Sequence, residues 1–224
     1  GKVKGDKYRE GDLKTPIGVM IQFTDLLQEN LETYDSETIQ KFLTLLNNSS
    51  RGGFDLLTNL LTWAQSQTGE IPFDPKEIKV SQLLLSTWNL LESQAELKEI
   101  ELVNNNHKEL SIVADENILK VVLRNIISNA IKFSHPKSQI ECSIDKTEQG
   151  VKFCIRDFGV GISIEQQENL FKLENTYSTA GTNDEKGTGL GLAICKEFVT
   201  LHGGKIWMEE VSPGTKVCFT IQHT

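Results

Sequence analysis

No run of about 18 apolar residues occurs in this chain, so nothing in it reads as a membrane-spanning helix. There is no basic and apolar leader of the secretory kind either. The expected setting is cytoplasmic, with any membrane anchor or sensor region lying outside this segment. The four cysteines, Cys142, Cys154, Cys195 and Cys218, show no CxxC spacing. That removes the common zinc and dithiol motifs and leaves buried free thiols in a reducing compartment as the expectation. Positive charge is short as well: 23 Lys and Arg face 31 Asp and Glu, for a net charge of −8, and the sequence pI is near 5.1. A nucleic-acid surface needs clustered cations against phosphate, so no nucleic-acid partner is expected.

What is present is an ordinary soluble composition, 38% hydrophobic and 24% charged over 224 residues, enough for one large domain or two modest ones. Residues 12–31 carry Leu13, Ile17, Met20, Thr24, Leu27 and Leu31 in steps of three and four, a seam on one helix face. Pro16 interrupts it early and is expected to kink the helix. Tyr34, Asp35 and Ser36 mark a short turn. A second seam follows through Ile39, Phe42, Leu46, Ser49, Gly53, Leu56, Leu60 and Trp63. Leu43, Leu57 and Leu61 widen it beyond what one partner helix covers. The spacing predicts an all-α antiparallel hairpin over residues 1–68 that pairs with a second copy into a four-helix bundle, a homodimer. A monomeric hairpin packed on the rest of the chain is the alternative. Residues 69–75, with Pro72 and Pro75, read as a linker, and residues 76–224 as a second domain.

That second domain mixes strands and helices. A strand is expected at 76–80, a helix capped by Ser81 running to about Lys98, strands at 99–104 and 110–114, and a helix at 116–133 capped by Asp115. A hairpin follows (Gln139–Asp145 and Gly150–Asp157), then a helix near 163–170, a helix at 189–202 and a final strand pair at 205–211 and 215–221. This is an α+β two-layer sandwich with one mixed sheet and helices on one face.

The helix 116–133 is unusual. Val121, Val122, Ile126, Ile127 and Ile131 are apolar, while Asn125, Asn129 and Lys132 share one stripe. A solvated face would account for them alone. A phosphate and Mg²⁺ site would too, because an Asn carbonyl is a hard oxygen ligand and Lys a point charge for phosphate. Three glycine clusters favour the second reading. Asp157, Phe158, Gly159, Val160 and Gly161 follow a strand, where glycines let the backbone approach a flat ligand. Gly187, Thr188, Gly189, Leu190, Gly191 and Leu192 precede a helix, the arrangement in which bare amides receive phosphate. Gly214 and Thr215 sit in the last hairpin.

In this order the motifs resemble the ATP-binding domain of sensor histidine kinases, the Bergerat or GHKL fold. The Asn-bearing helix resembles the N box, Asp157–Gly161 and Gly187–Leu192 the two glycine boxes, and Phe171 the phenylalanine box. The resemblance implies that Asp157 accepts a hydrogen bond from the adenine amino group, that Asn129 and Asn125 serve Mg²⁺ and the phosphates, that Lys132 meets phosphate oxygens and that Phe133 walls the nucleotide. It also implies an ATP lid over 172–187, with Lys172 in the place of a basic residue after Phe171. The related hydrolytic ATPases carry a Glu one turn before the metal Asn. Asn125 stands there, which disfavours water as the nucleophile and favours transfer to a side chain. The linker 63–75 looks most like that of Bacteroidetes hybrid or periplasm-sensing kinases.

In this family the acceptor is a histidine in the first hairpin helix, followed by an acidic residue, Leu, a basic residue, Thr or Asn, and Pro. Asp12, Leu13, Lys14, Thr15 and Pro16 fit that motif, but the histidine position holds Gly11. By resemblance Asp12 orients the imidazole and takes its proton, and Thr15 serves dephosphorylation of the partner, a response-regulator receiver domain. Three accounts of Gly11 stand: a segment missing or replaced before Asp12, an exchanged histidine, or a natural pseudokinase. His107, His135, His202 and His223 read as surface or capping residues, His202 with a charge suited to a helix C-terminus. The chain is thus expected to be the core of an ATP-dependent protein-histidine kinase. A hydrolytic ATPase of the same superfamily and an ATP-binding scaffold are the rivals.

Overall fold

The structure, a computed structural model, describes residues 10–30, 32–68, 73–105, 109–148, 150–163, 167, 170–171, 181–182 and 191–222; for 10–16, 48, 51, 55–56, 59–60 and 62–68 it describes the backbone only. Two helices lead, α1 (Glu10–Asn30) and α2 (Ser36–Thr68). α1 runs unbroken through Pro16. The turn closes by Thr33 and Tyr34 amides donating to the Asn30 carbonyl at 2.9 and 3.3 Å. Asp35 then caps α2, its Oδ1 accepting from the Thr38 amide at 2.8 Å, and those Thr38 hydrogen bonds hold its carboxyl below the usual range.

The helices are antiparallel neighbours. Phe23 packs on Phe42 with ring centroids 5.1 Å apart, Phe42 meets Tyr34 edge-on at 5.3 Å, and the Ser50 hydroxyl donates to the Met20 sulfur. Phe42, Leu46, Ser49 and Gly53 sit half-buried on the expected face of α2. On α1 the face is rotated from the expected one: Phe23 and Leu26 turn inward with Met20 and Leu27, whereas Ile17 and Thr24 are exposed. A strict three–four seam drifts around a straight helix, so its members cannot all face one partner. Ile17, Ile21, Leu43, Leu45, Phe54, Leu57 and Leu61 remain exposed. No helix among the described residues is long and apolar enough to cross a membrane.

The second half is α+β, with two sheets where one was expected. β1 (Lys76–Lys79) pairs antiparallel with β3 (Ser111–Ala114). Each of these four-residue strands ends against a helix start, which limits how far it can extend. The larger sheet has the order β2 (Glu101–Asn104), β4 (Gln139–Thr147), β5 (Gly150–Asp157), β7 (Lys216–Gln222) and β6 (Ile206–Glu209). β2 and β4 are parallel; the other neighbours are antiparallel.

Three further helices, α3 (Val80–Glu96), α4 (Glu116–Phe133) and α5 (Gly191–Leu201), supply apolar faces to one core with the large sheet. α3 starts one residue before Ser81, and no side chain caps it at Lys79. In α4 the pairs Ile118/Leu119, Val122/Leu123, Ile126/Ile127 and Ala130/Ile131 repeat every four residues, and all are buried. They face a sheet surface carrying Ile140, Phe153, Ile155, Phe219 and Ile221. Phe153 and Phe219 stack at 4.8 Å. Each such side chain contributes about 1.5–3 kcal/mol by burial, which fixes α4 against the sheet.

The cysteine expectation is half overturned. Cys154 and Cys218 form a disulfide. They are register partners across β5 and β7, and the strand alternation that sends Phe153 and Phe219 to the helix side puts both sulfurs on the other face. Cys142 and Cys195 are free and buried. Burial pushes the Cys142 thiol up to about 12 and raises the Cys195 thiol as well.

Candidate nucleotide site

Asp157 is the last residue of β5 and is 6% exposed. Its Oδ1 accepts from the Gly159 amide at 3.0 Å and from the Thr215 amide at 3.1 Å. Its own amide donates to the Thr215 carbonyl at 2.9 Å. Burial raises the Asp157 pKa; the hydrogen bonds from Gly159 and Thr215 oppose that without cancelling it. The Thr215 hydroxyl lies near enough to favour the charged carboxylate, yet Oγ1 is buried without a hydrogen-bond partner.

Two glycines make this packing possible. A Cβ on Gly159 would run into the Phe133 carbonyl, and the Val160 amide donates to that same oxygen at 3.3 Å. The loop after β5 is therefore pressed onto the C-terminal end of α4. Gly214, at φ +91°, lies against the Asp157 carbonyl, where a side chain would clash. Gly161, at φ +73°, faces Gly214. The backbone itself forms one wall beside the buried carboxylate.

α4, whose C-terminal end touches that loop, carries the polar stripe. Asn125, Asn129, Lys132 and Phe133 are all half-buried. A Cβ on Gly191 would come within 3.0 Å of Asn125 Oδ1, so the first residue of α5 abuts the amide of Asn125. Asn125 Nδ2 is buried with no partner. The Lys132 ammonium lies 4.5 Å over the Phe133 ring. Leu192 is buried in the core. Phe171 packs partly buried against the same core.

Lys172, Gly187, Thr188, Gly189 and Leu190, most of the 172–187 stretch, linker residues 69–72, His107 and His223 lie outside the described residues. So do the side chains of Asp12, Thr15 and Pro16, although their backbone belongs to α1. Only Gln167 and Leu170 of the expected 163–170 helix are described as helical, with the Gln167 amide donating to the Ser163 carbonyl at 3.0 Å.

Sequence reasoning missed two supports. Lys98, 4% exposed, donates to the Ile131 carbonyl at 3.0 Å, the Lys132 carbonyl at 2.8 Å and the Thr182 hydroxyl at 2.7 Å. It places a cation on the C-terminal carbonyls of α4, where the helix dipole favours one. Thr182 joins it, its hydroxyl donating to the Ser134 carbonyl at 2.7 Å. Nothing local to Lys98 signals this, because its partners lie 33 to 84 residues away. His202 is no charged surface cap either. It is buried, Nε2 accepts from the Asp115 amide at 3.1 Å, and Nδ1 faces the Phe198 carbonyl at 2.8 Å. That pairing requires the neutral ring with its proton on Nδ1.

Residues 114–224 match the family of histidine kinase-, DNA gyrase B- and HSP90-like ATPases. The fold and the match define a GHKL-type catalytic domain. WalK, a sensor histidine kinase of Bacillus subtilis, is 29% identical over 217 residues, 95% of this chain and 35% of that protein. SasA, an adaptive-response sensory kinase of Prochlorococcus marinus, is 33% identical over 170 residues, 75% of this chain and 45% of that protein. The nucleotide-free catalytic domain of the histidine kinase ThkA superposes with a TM-score of 0.59 at 28% identity, covering 67% of this chain and 97% of that one. ThkA in complex with the response regulator TrrA shares the fold over 96% of this chain and 59% of that one, at a TM-score of 0.72 and 22% identity. Residues 114–224 thus carry a domain of this family, and over most of its length the chain is similar to sensor histidine kinases. It spans less than half the length of the two curated relatives named.

Proposed function

We propose that the chain is the core of a two-component sensor kinase that binds MgATP between α4 and the Asp157–Gly161 loop and transfers the γ-phosphoryl group to a histidine, from which it passes to a response-regulator aspartate. The observation that carries this reading is the buried Asp157 carboxylate, held by Gly159 and Thr215 amides beside the polar stripe of α4. Asp157 accepts the adenine amino group, and the unpartnered Thr215 hydroxyl is placed to join it. Gly159 and Gly161 keep the wall flat for the base. Phe133 and Phe171 supply apolar contact.

The residues present fit a magnesium nucleotide. Asn125 and Asn129 offer hard carbonyl oxygens one turn apart on α4, and Asn125 Nδ2, buried beside the Cys195 thiol without a well-formed hydrogen bond, is free to donate to a phosphate oxygen. Mg²⁺ bound there would neutralise phosphate charge during transfer. Lys132 meets phosphate oxygens; Lys172, Gly187, Thr188, Gly189 and Leu190 belong to the segment that closes over them, with Gly191 opening α5. Asn125 in place of a carboxylate leaves no general base for water, so a side chain is the acceptor.

Residues 1–68 form the dimerisation and acceptor hairpin, 69–75 the linker and 76–224 the ATP-binding unit. The exposed apolar side chains of α1 and α2 support a homodimer, and a receiver domain is the partner for transfer from the hairpin. Asp12 and Thr15 orient and serve an acceptor at position 11. Gly11 favours a second reading, an ATP-binding scaffold that does not phosphorylate itself. Labelled ATP offered to the chain and to Gly11→His separates the readings. Label retained on the Gly11→His protein alone supports the kinase. Released phosphate from both points to an ATPase. Neither, despite bound ATP, leaves the scaffold.

A further inference from the structure

The residues just before β1 are bonded to the ATP-binding unit. The Asp74 amide donates to Asp115 Oδ2 at 2.9 Å. The other oxygen of that carboxylate, Oδ1, accepts from the Ile118 amide at 3.0 Å and so caps α4. One buried side chain thus serves a helix N-terminus and a strand of chain 41 residues upstream. The Asp115 amide completes the cluster by donating to His202 Nε2. The Phe73 ring meets the same imidazole edge-to-face at 5.0 Å. Phe73 and Asp74 therefore close on α4 and α5 at one point, by a ring contact and by a hydrogen bond. The remaining tie of Asp74, to the Lys76 ammonium at 2.6 Å, is exposed on both sides and is worth little.

We propose that Phe73, Asp74, Asp115 and His202 form the joint on which the ATP-binding unit is mounted. Phe73 and Asp74 move with the ATP-binding unit as one body, and force on them is delivered to the N-terminal end of the helix that carries Asn125 and Asn129. The proposal rests on the reading of α4 as the nucleotide helix. The physical reason is economy of acceptors. Releasing Asp74 leaves a buried carboxylate oxygen without its donor, an unfavourable state, so the linker and α4 move together. Asn125 lies ten residues on, about 15 Å along a rigid helix, and one face of α4 is buried from Ile118 to Ile131, so a tilt at Asp115 reaches it.

The test is ¹⁵N relaxation on the whole 224-residue chain, with side-chain amide shifts of Asn125 and Asn129 read on the same samples. The joint predicts backbone order parameters at Phe73 and Asp74 near 0.85, equal to those of α4; a swinging linker gives values below about 0.6. Asp115→Asn keeps a carbonyl oxygen to cap Ile118 but turns an NH₂ toward the Asp74 amide, donor against donor. Phe73→Ala removes the ring contact at a position 39% exposed and keeps the test alive should Asp115→Asn unfold α4. Either variant is expected to lower the Asp74 value below about 0.6 and to shift the Asn125 and Asn129 side-chain resonances. The proposal is overturned by low order in the parent, by variants that leave Asp74 rigid, or by loosening that leaves both Asn resonances in place. MgATP titrated into the parent keeps the two ideas apart: a rigid Asp74 without nucleotide binding removes the nucleotide reading and leaves the joint.

Discussion

The two halves of the chain use apolar residues in opposite ways. In residues 76–222 the sheet, α3, α4 and α5 bury their Ile, Leu, Val and Phe side chains in one core. In the hairpin, described side chains of the same kinds stay in the open: Phe54 is 66% exposed, and Ile21, Leu57 and Leu61 lie in the same range. The second half exposes a few as well, Leu85, Leu90 and Leu97 on α3 or at its end, but beneath them it has a core of its own, which the described side chains of the hairpin do not form. A wide stripe on a two-helix hairpin reads as a surface awaiting a partner, whereas two amides and an ammonium in line on a helix packed against the core read as a site.

That contrast can be broken in order of expected effect. Phe153→Ala opens a cavity under the stacked pair and should cost about 3–5 kcal/mol, seen as a lower urea midpoint for the ATP-binding unit; a loss below 1 kcal/mol would mean that core is not close-packed. Gly159→Ala forces a Cβ into the Phe133 carbonyl and should cost about 1–3 kcal/mol, with MgATP affinity falling alongside; unchanged affinity would separate the loop from the pocket. Leu57→Asp with Leu61→Asp should turn a dimer into a monomer by sedimentation while MgATP affinity stays within twofold. A dimer that survives the double substitution places the interface elsewhere.

The smallest effect sits on the sheet face away from the helices. Glu209 pairs with Lys152 at 2.7 Å and Lys216 at 2.6 Å, and those hydrogen bonds hold its carboxyl down to about 2 from an ordinary 4.5. A lowered acid stabilises the fold above its unfolded value and loses that contribution as pH falls toward the folded one. Both pairs are partly solvated, so the worth is about 1 kcal/mol. Glu209→Gln should lose that much at pH 7 and flatten the acid limb between pH 4.5 and 2; an unchanged acid limb would contradict it.

Much of this was legible in the residues because it is local. The Asp115 cap, the span of α4 and the β4–β5 hairpin follow from capping chemistry and from periods of 3.6 and 2. What escaped depends on register and on distant chain. The two-sheet split turns on which short strand β1 meets. The Cys154–Cys218 pair depends on the alignment of β5 with β7. From sequence Lys98 is no more than the end of a helix and His202 a surface or capping residue, because their partners, the end of α4 and the amide of Asp115, are far away in sequence. At the site, Asp157, Gly159, Gly191 and the Asn stripe could be picked out by type and order. The buried, unpartnered Asn125 Nδ2 and Thr215 Oγ1 could not, since satisfaction is a property of packing.

The most direct measurement is an MgATP titration of the parent chain and of Asp157→Asn, followed by calorimetry. The substitution replaces half of a buried acceptor with a donor, facing an adenine amino group that also donates. Saturable binding by the parent, weakened ten- to a hundredfold in the variant, or roughly 1.5–3 kcal/mol, is the predicted result. Equal affinity in the two proteins, or no binding by the parent, would contradict the placement of the nucleotide against Asp157.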